Sequence, residues 1–316
     1  MTAGASWRKL PLDVRVRYRR IRALAGNAGW HFVDLMTMTN LFSMSEVRPV
    51  SPPAAYIGGK KQLASRVASL IEQIPHTIYA EPFVGMGGVF FRRKLIPRSE
   101  VVNDISGDVV TLFRILQRHY PQFMETLKYQ ITSRADFDRL SRSDPTTLTD
   151  LERAARFIYL QRLAFGGKVS GRNFGVDYTG GSRFNLGRLA IILQEVHERL
   201  AGVTIENLDW RNFITRYDRP ETLFYLDPPY WGCESDYGPD VFSQADFAEL
   251  AERLAGIKGR FLLSLNDTPG VRSCFAAFAF ADVSLTYSVS GGEGVVAKEV
   301  VIMDQASAGE VNFPRG

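Results

Sequence analysis

The residues of this chain best suited to chemistry are Asp227-Pro228-Pro229-Tyr230. Two consecutive prolines fix φ and remove two backbone donors, so what the tetrapeptide offers is acceptors. The Asp227 carboxylate and the Pro228 carbonyl can accept from the two N–H bonds of one amino group, while the Tyr230 ring gives a face to a flat heterocycle. That combination suits an exocyclic amine on a nucleobase. Such an amine delocalises its lone pair into the ring and is a poor nucleophile. Acceptors aimed at its N–H bonds localise the pair for attack on an electrophilic carbon. No covalent enzyme intermediate is needed, so Cys233, three residues further on beside Gly232, reads as incidental. Taken alone, the four residues are equally a Pro-rich turn ending a strand.

A second constellation is Glu81-Pro82-Phe83-Val84-Gly85-Met86-Gly87-Gly88. It follows a short strand at Thr77 to Ala80 and precedes a helix expected from about Val89 to Leu95. The glycines depart from the G-x-G-x-x-G spacing and an acid precedes them, which argues against a pyrophosphate cradle. Asp104 ends the next strand, Val101-Val102, and lies 19 positions after Gly85. An acid at that offset meets ribose hydroxyls, so the pair points to a nucleoside-bearing cofactor. Upstream, Tyr56-Ile57-Gly58-Gly59-Lys60 opens a helical pattern over Gln62 to Ile74, carried by Leu63, Val67, Leu70 and Ile71. Lys60 is placed to meet a carboxylate, or the stretch is a loop-to-helix junction. Asp209 either accepts from a cofactor amino group or caps a helix over Trp210 to Tyr217.

The elements that must position these residues read as an α/β sheet. Thr222 to Leu226 is an apolar run of the kind a strand covered on both faces requires, so the tetrapeptide sits at a strand's carboxyl end, where open α/β sheets bind ligands. Further strands are expected at Val203 to Glu206 and Phe261 to Leu265, and an antiparallel hairpin pairs Val283 to Val289 with Glu299 to Met303. Ser243 opens a helix with a capping box, and Trp231 to Asp240 reads as a lid. From Ser106 to Ala201 the pattern is helical, with Asp108 to His119, Ala135 to Leu140 and Leu151 to Leu163 clearest. The expected fold is therefore a Rossmann-like doubly wound sheet with an antiparallel terminal hairpin, in segments 51–107 and 201–308, interrupted by a mostly helical insertion at 108–200.

Composition narrows the setting. At 316 residues and 45% hydrophobic content the chain can bury a sizeable core. Two cysteines make neither a disulfide framework nor a metal set, so no metal is expected and a reducing, cytoplasmic setting is. No apolar run approaches a membrane span. The net charge of +4 is concentrated at residues 1–50, where eight basic side chains face three acids. That stretch reads as a basic extension or solvated arm. A local footprint appears instead between Ile158 and Arg188, where Arg162, Lys168, Arg172, Arg183 and Arg188 face Asp177 alone within a Gly- and aromatic-rich run. This suits insertion into a nucleic-acid groove, with Lys168 and Arg183 on phosphates and Arg172 and Asn173, beside Gly171, reading guanine and adenine edges. A surface loop is the alternative.

Taken in order, YIGGK, EPFVGMGG, VND, a basic helical insertion, LDPPY and SLND resemble the Dam-type DNA adenine-N6 methyltransferases over about residues 55–305. Within it, FGGKVSGRNFG is similar to the phage and prophage members, and Tyr56 stands where some members have Trp. The resemblance implies a class I methyltransferase fold, S-adenosyl-L-methionine as cofactor and an insertion that recognises the DNA target. By position, Tyr56, Lys60, Glu81, Pro82, Phe83, Gly85, Gly87, Asp104 and Asp209 would hold the cofactor. Asp227 would face both cofactor and substrate, and Pro228, Pro229 and Tyr230 would complete the catalytic segment around an adenine flipped out of double-stranded DNA. Cytosine-N4 or RNA adenine methylation would use the same amine chemistry, and a silenced, binding-only protein would keep the cavity. The intact Asp227, Pro228 and Tyr230 argue against the last. The oligomeric state is not legible, and a monomer is compatible with the sequence.

Overall fold

Strands that are covered on both faces need apolar side chains at every position, and the chain supplies such runs at intervals that leave room for helical crossovers. In the computed structural model they form β1 (Ile78–Glu81), β2 (Ser99–Asn103), β3 (Thr204–Glu206), β4 (Thr222–Leu226), β5 (Arg260–Asn266), β6 (Ala279–Tyr287) and β7 (Val295–Met303). They join in one sheet of order β3-β2-β1-β4-β5-β7-β6. The first five are parallel; β7 runs antiparallel to both β5 and β6. The structure describes residues 44–56, 61–175, 182–238, 241–287 and 295–312. The basic stretch 1–43 and Gly58, Gly59 and Lys60 lie outside the described residues.

Alternation along the strands feeds two cores. Tyr79, Leu223, Tyr225, Leu262 and Val301 point to one face, where they meet α1 (Lys61–Ile71) and the helices between β2 and β3, α2 (Gly107–Arg118), α3 (Tyr120–Leu127), α4 (Arg134–Arg142), α5 (Asp150–Leu163) and α6 (Leu186–Leu200). Ala80, Phe224, Leu226, Leu263 and Ile302 point to the other, against α7 (Trp210–Tyr217), α8 (Gln244–Ala255) and α9 (Pro269–Cys274). A short helix, α10 (Gln305–Ala308), follows β7. Residues 45–316 form one compact unit. Helices α2 to α6 share their core with the sheet, since Phe113, Phe157 and Leu193 belong to the same buried cluster as Tyr79 and Leu223.

Local chemistry explains the boundaries. Thr149 and Glu152 form a capping box at α5, and Ser243 with Asp246 does the same at α8. The helix expected over Val89 to Leu95 does not form: one 3₁₀ turn, Phe90–Arg92, is followed by extended chain whose Leu95–Ile96 pairs antiparallel with Ser45–Glu46. Pro97 disfavours helical backbone at Ile96, and the pairing takes up the segment. Arg93 turns inward, its guanidinium 3.6 Å from the Tyr79 ring centroid. Among the described residues no helix is long and apolar enough to cross a membrane, and no group of His, Cys, Asp and Glu is arranged to hold a metal ion.

Candidate active site

Chain order reverses between β1 and β4. From that line the chain winds outward to β3 on one side and to β5 on the other, so the crossovers part and leave a crevice beyond the strands' carboxyl ends. A cavity of about 330 Å³ opens there. Of the residues expected to hold a cofactor, Tyr56, Glu81, Pro82, Phe83, Gly85, Asp104, Asp209 and Asp227 line it, as does Pro229. Gly87 lies behind the lining, and Lys60 is outside the described residues. Arg162, expected in the basic footprint, and Tyr237, within the stretch read as a lid, also line the cavity, as does Phe242, which carried no signal of its own in the sequence.

The glycine turn after β1 is dictated by both backbone and space. Gly85 and Gly87 have φ of 49° and 72°, the left-handed region that other residues rarely adopt. A Cβ on Gly85 would lie 2.9 Å from the Tyr56 ring, and one on Gly87 would collide with the Phe91 ring. The turn aims the Gly85 N–H at Asp104 Oδ2, 2.8 Å away, while the Ser106 N–H donates to Oδ1 at 2.8 Å. One backbone donor on each oxygen fixes the carboxylate and leaves lone pairs for hydroxyl groups. Next to it, Asn103 donates to the carbonyls of Pro82 and Leu208, both at 3.0 Å, and accepts from the Leu208 N–H at 2.8 Å. This amide staples the ends of β1 and β2 to the segment after β3. Sequence reading passed over it.

Four carboxyl groups line the cavity, those of Glu81, Asp104, Asp209 and Asp227. Glu81 is buried and accepts from the Tyr79 hydroxyl at 2.6 Å. Burial pushes its carboxyl up to about 8; the Tyr79 hydrogen bond and Arg93 act against the rise and Asp227 adds to it. Burial likewise raises Asp104 to about 6, against the two backbone donors. Asp227 Oδ1 accepts from the Ser264 hydroxyl at 3.2 Å, and Ser264 lies 2.9 Å from the Tyr225 hydroxyl. Asp209 caps α7, accepting from the Arg211 N–H at 2.9 Å, and also lines the cavity. Phe83 and Phe242 pack edge to face and supply apolar wall, and Tyr56 and Tyr237 lie 6.0 Å apart. Aromatic faces beside hydrogen-bonding carboxyl groups suit a nucleoside.

Asp227 and Tyr230 are half-buried, while Pro228 and Pro229 are buried between them. The Tyr230 carbonyl accepts from the Cys233 N–H at 2.9 Å, and Gly232 has φ of 84°, as the third position of a type II turn requires. The stretch read as a lid thus begins with a fixed turn and contains a 3₁₀ turn at Glu234–Tyr237.

The expected nucleic-acid contacts divide. An isolated bridge between Ala164 and Phe174, with the Phe165 N–H on the Asn173 carbonyl at 2.8 Å, closes a loop carrying Gly166, Gly167 and Gly171 at positive φ. Lys168 and Asn173 are exposed on it, and Phe165 is 63% exposed. Arg183 is half-buried, and its carbonyl accepts from Arg162 Nε at 3.1 Å. Arg172 turns inward, with Nη2 3.4 Å from Gln161 Oε1 and the guanidinium 5.7 Å from the Phe157 ring centroid. Gln161 is the residue the sequence hid: its amide donates to the carbonyls of Ala55 at 2.8 Å and Gly167 at 2.6 Å, tying the basic loop to the segment that delivers Tyr56.

Comparison with known proteins bears on this geometry. The family model of the "D12 class N6 adenine-specific DNA methyltransferase" matches residues 56–289. Among curated proteins, a "Type II methyltransferase M1.LlaDCHI" of Lactococcus lactis subsp. cremoris is 25% identical, over 78% of this chain and 92% of its own length. A "Type II methyltransferase M.CviBI" of Paramecium bursaria Chlorella virus NC1A is 22% identical, over 79% and 96%. A "DNA adenine methylase" of Salmonella typhi is 26% identical, over 68% and 81%.

Proposed function

The chain belongs to the D12 class N6 adenine-specific DNA methyltransferases and is a DNA adenine methyltransferase, and we propose that it moves a methyl group from S-adenosyl-L-methionine to an adenine turned out of double-stranded DNA at a specific sequence. The observation that carries this reading is the convergence of Glu81, Asp104 and Asp227 on one cavity at the reversal of the sheet. We assign β1 to β7 with their helices as a class I methyltransferase fold and residues 108–200 as the insertion that recognises the target.

The residues present fit the cofactor. Asp104, held by two backbone donors, keeps lone pairs for ribose hydroxyls; Tyr56, Phe83 and Phe242 offer flat apolar surface to a purine; Asp227, joined by Glu81 once a cation draws off its proton, provides negative charge. When bound, S-adenosylmethionine supplies an electrophilic methyl group. The protein's own part is to prepare the amine. Asp227 and the Pro228 carbonyl accept from its two N–H bonds and so localise the nitrogen lone pair, and Tyr230 stacks on the base to hold it outside the duplex. Asp227 is held for this by the Ser264 hydroxyl. After attack one of the nitrogen's two protons leaves and the other stays on the methylated amine, with Asp227 as the first acceptor for the one that leaves.

The test is Asp227→Ala, assayed by transfer of labelled methyl groups to duplex DNA. Removing one acceptor from the reacting group should lower the rate by about 10² to 10³ while the fold melts as before. Transfer at the wild-type rate would remove Asp227 from the mechanism.

A further inference from the structure

The segment Asp227 to Trp231 is held at both ends by one neighbouring strand. Ser264 and Asn266 stand two residues apart on β5, so their side chains leave the strand on the same side. Ser264 donates to Asp227 at 3.2 Å. Asn266 grips Trp231 twice: its Oδ1 accepts from the Trp231 N–H and its Nδ2 donates to the Trp231 carbonyl, each at 3.0 Å. A primary amide is the side chain that can satisfy a backbone donor and acceptor of one residue together. The carbonyl it holds belongs to the central peptide of the turn closed by the Tyr230 carbonyl and the Cys233 N–H, so the amide fixes which way that peptide faces.

The Trp231 side chain is located just as firmly. A Cβ at Gly270, the second residue of α9, would lie 2.5 Å from the indole, and the Phe247 ring centroid is 4.9 Å from it on another side. Gly270 has no positive φ to account for it; the close approach of the indole does. Two independent features, an amide on β5 and a missing side chain on α9, thus serve the same residue, the one that follows Tyr230.

We propose that Asn266 is a positioning residue of the methyl-transfer site: by clamping Trp231 into the slot at Gly270 it sets where the Tyr230 ring and the Pro228 carbonyl stand relative to Asp227. This rests on the reading of Asp227 to Tyr230 as the amine-binding segment. Asn266 does not line the cavity, so its loss acts through the placement of others, and a displacement of about 1 Å at a reacting group can cost on the order of 100-fold in rate.

The test uses the full chain with Asn266→Ala and, from the other side of the slot, Gly270→Ala, so that a folding failure of one leaves the other to decide. Amide hydrogen exchange is followed in the peptides spanning 227–238, alongside single-turnover methylation and calorimetric binding of S-adenosylmethionine. The expected result is exchange about tenfold faster in those peptides alone, a transfer step about 10- to 100-fold slower, and cofactor affinity changed by no more than about twofold. Unchanged exchange in 227–238, or a rate that falls only in step with cofactor affinity, overturns the proposal. Should the wild-type protein transfer no methyl group to adenine, the functional reading fails, while the exchange pattern still decides whether Asn266 holds the segment.

Discussion

Glu81 enters the cavity with its carboxyl pushed up to about 8 by burial, and a buried acid in that state holds its proton at neutral pH. A cationic ligand favours the carboxylate, so binding must draw that pKa down and release a proton. Below about pH 8 the affinity for S-adenosylmethionine should then rise with pH, by up to about tenfold per unit. The ligand's own α-amino group titrates at about 8. The quantity that isolates Glu81 is therefore the difference between wild type and Glu81→Gln in calorimetric titrations between about pH 6.5 and 8.5. Parallel profiles would mean that Glu81 meets no positive charge. The free fold should show the opposite dependence. Between the ordinary carboxylate range and about 8 the unfolded chain has given up this proton and the folded one has not, so the Glu81 contribution to stability declines as pH rises. Residues of this kind were legible in the sequence because their chemistry is their own: Glu81, Asp104 and Asp227 are carboxylates at strand ends. Asn103, Gln161 and Asn266 were not, because an amide does no chemistry until its partners are known. The partners of Gln161 and Asn103 lie up to 106 residues away.

Among elements, the strands and helices that bury a regular face were readable from periodicity, and Thr222–Leu226 and Trp210–Tyr217 fall where their patterns place them. The expected helix after the glycine turn failed because Leu95–Ile96 pairs with Ser45–Glu46, a contact across about 50 residues that no local pattern encodes. The basic loop shows the same division between local and distant causes. Its glycines predicted a turn, and Lys168 and Asn173 stand exposed on it, but the direction of Arg172 was set by Gln161 on α5. This reassigns the expected effects of substitution. Asn173→Ala should relax the methylated sequence at one position, with about 1 to 3 kcal/mol of discrimination lost there. Lys168→Ala should weaken binding to all DNA alike and reduce the salt slope by about 1. Arg172→Ala removes a contact to the amide that also holds Ala55 and Gly167, so it should weaken cofactor and DNA binding together. Sequencing of modified adenines, with binding measured at several salt concentrations, separates these outcomes. A change of motif in Arg172→Ala with cofactor affinity intact would return that residue to base reading.

At the scale of the whole molecule, the insertion and the sheet are joined by a buried ion cluster whose members lie far apart in the chain. Glu100 on β2 accepts two hydrogen bonds from Arg199 in the last turn of α6, at 2.6 and 2.7 Å, and a further one from Arg93. All three side chains are buried, and the Arg199 guanidinium lies 4.2 Å from the Phe90 ring centroid. Burial opposes the charge on Glu100, yet Arg93 and Arg199 together hold its carboxyl below the usual range. One carboxylate thus compensates two guanidinium groups that have no other way to leave water. Glu100→Gln keeps the shape and removes the charge. Breaking a buried pair from one side costs about 3 to 5 kcal/mol, because the partners stay buried and uncompensated. That is a large part of the roughly 5 to 15 kcal/mol that holds a domain folded. Since Arg199 closes the insertion and Glu100 stands in the central sheet, urea denaturation should show the loss as an earlier midpoint of a single transition, seen alike by circular dichroism and by tryptophan fluorescence. Because the folded-state carboxyl is depressed, the wild-type contribution should be complete above the ordinary carboxylate range and disappear as pH falls through the lowered value. Acid should therefore narrow the gap between wild type and Glu100→Gln. A loss under about 1 kcal/mol within a single transition would show that the shared hydrophobic core joins the two parts without help from the ions.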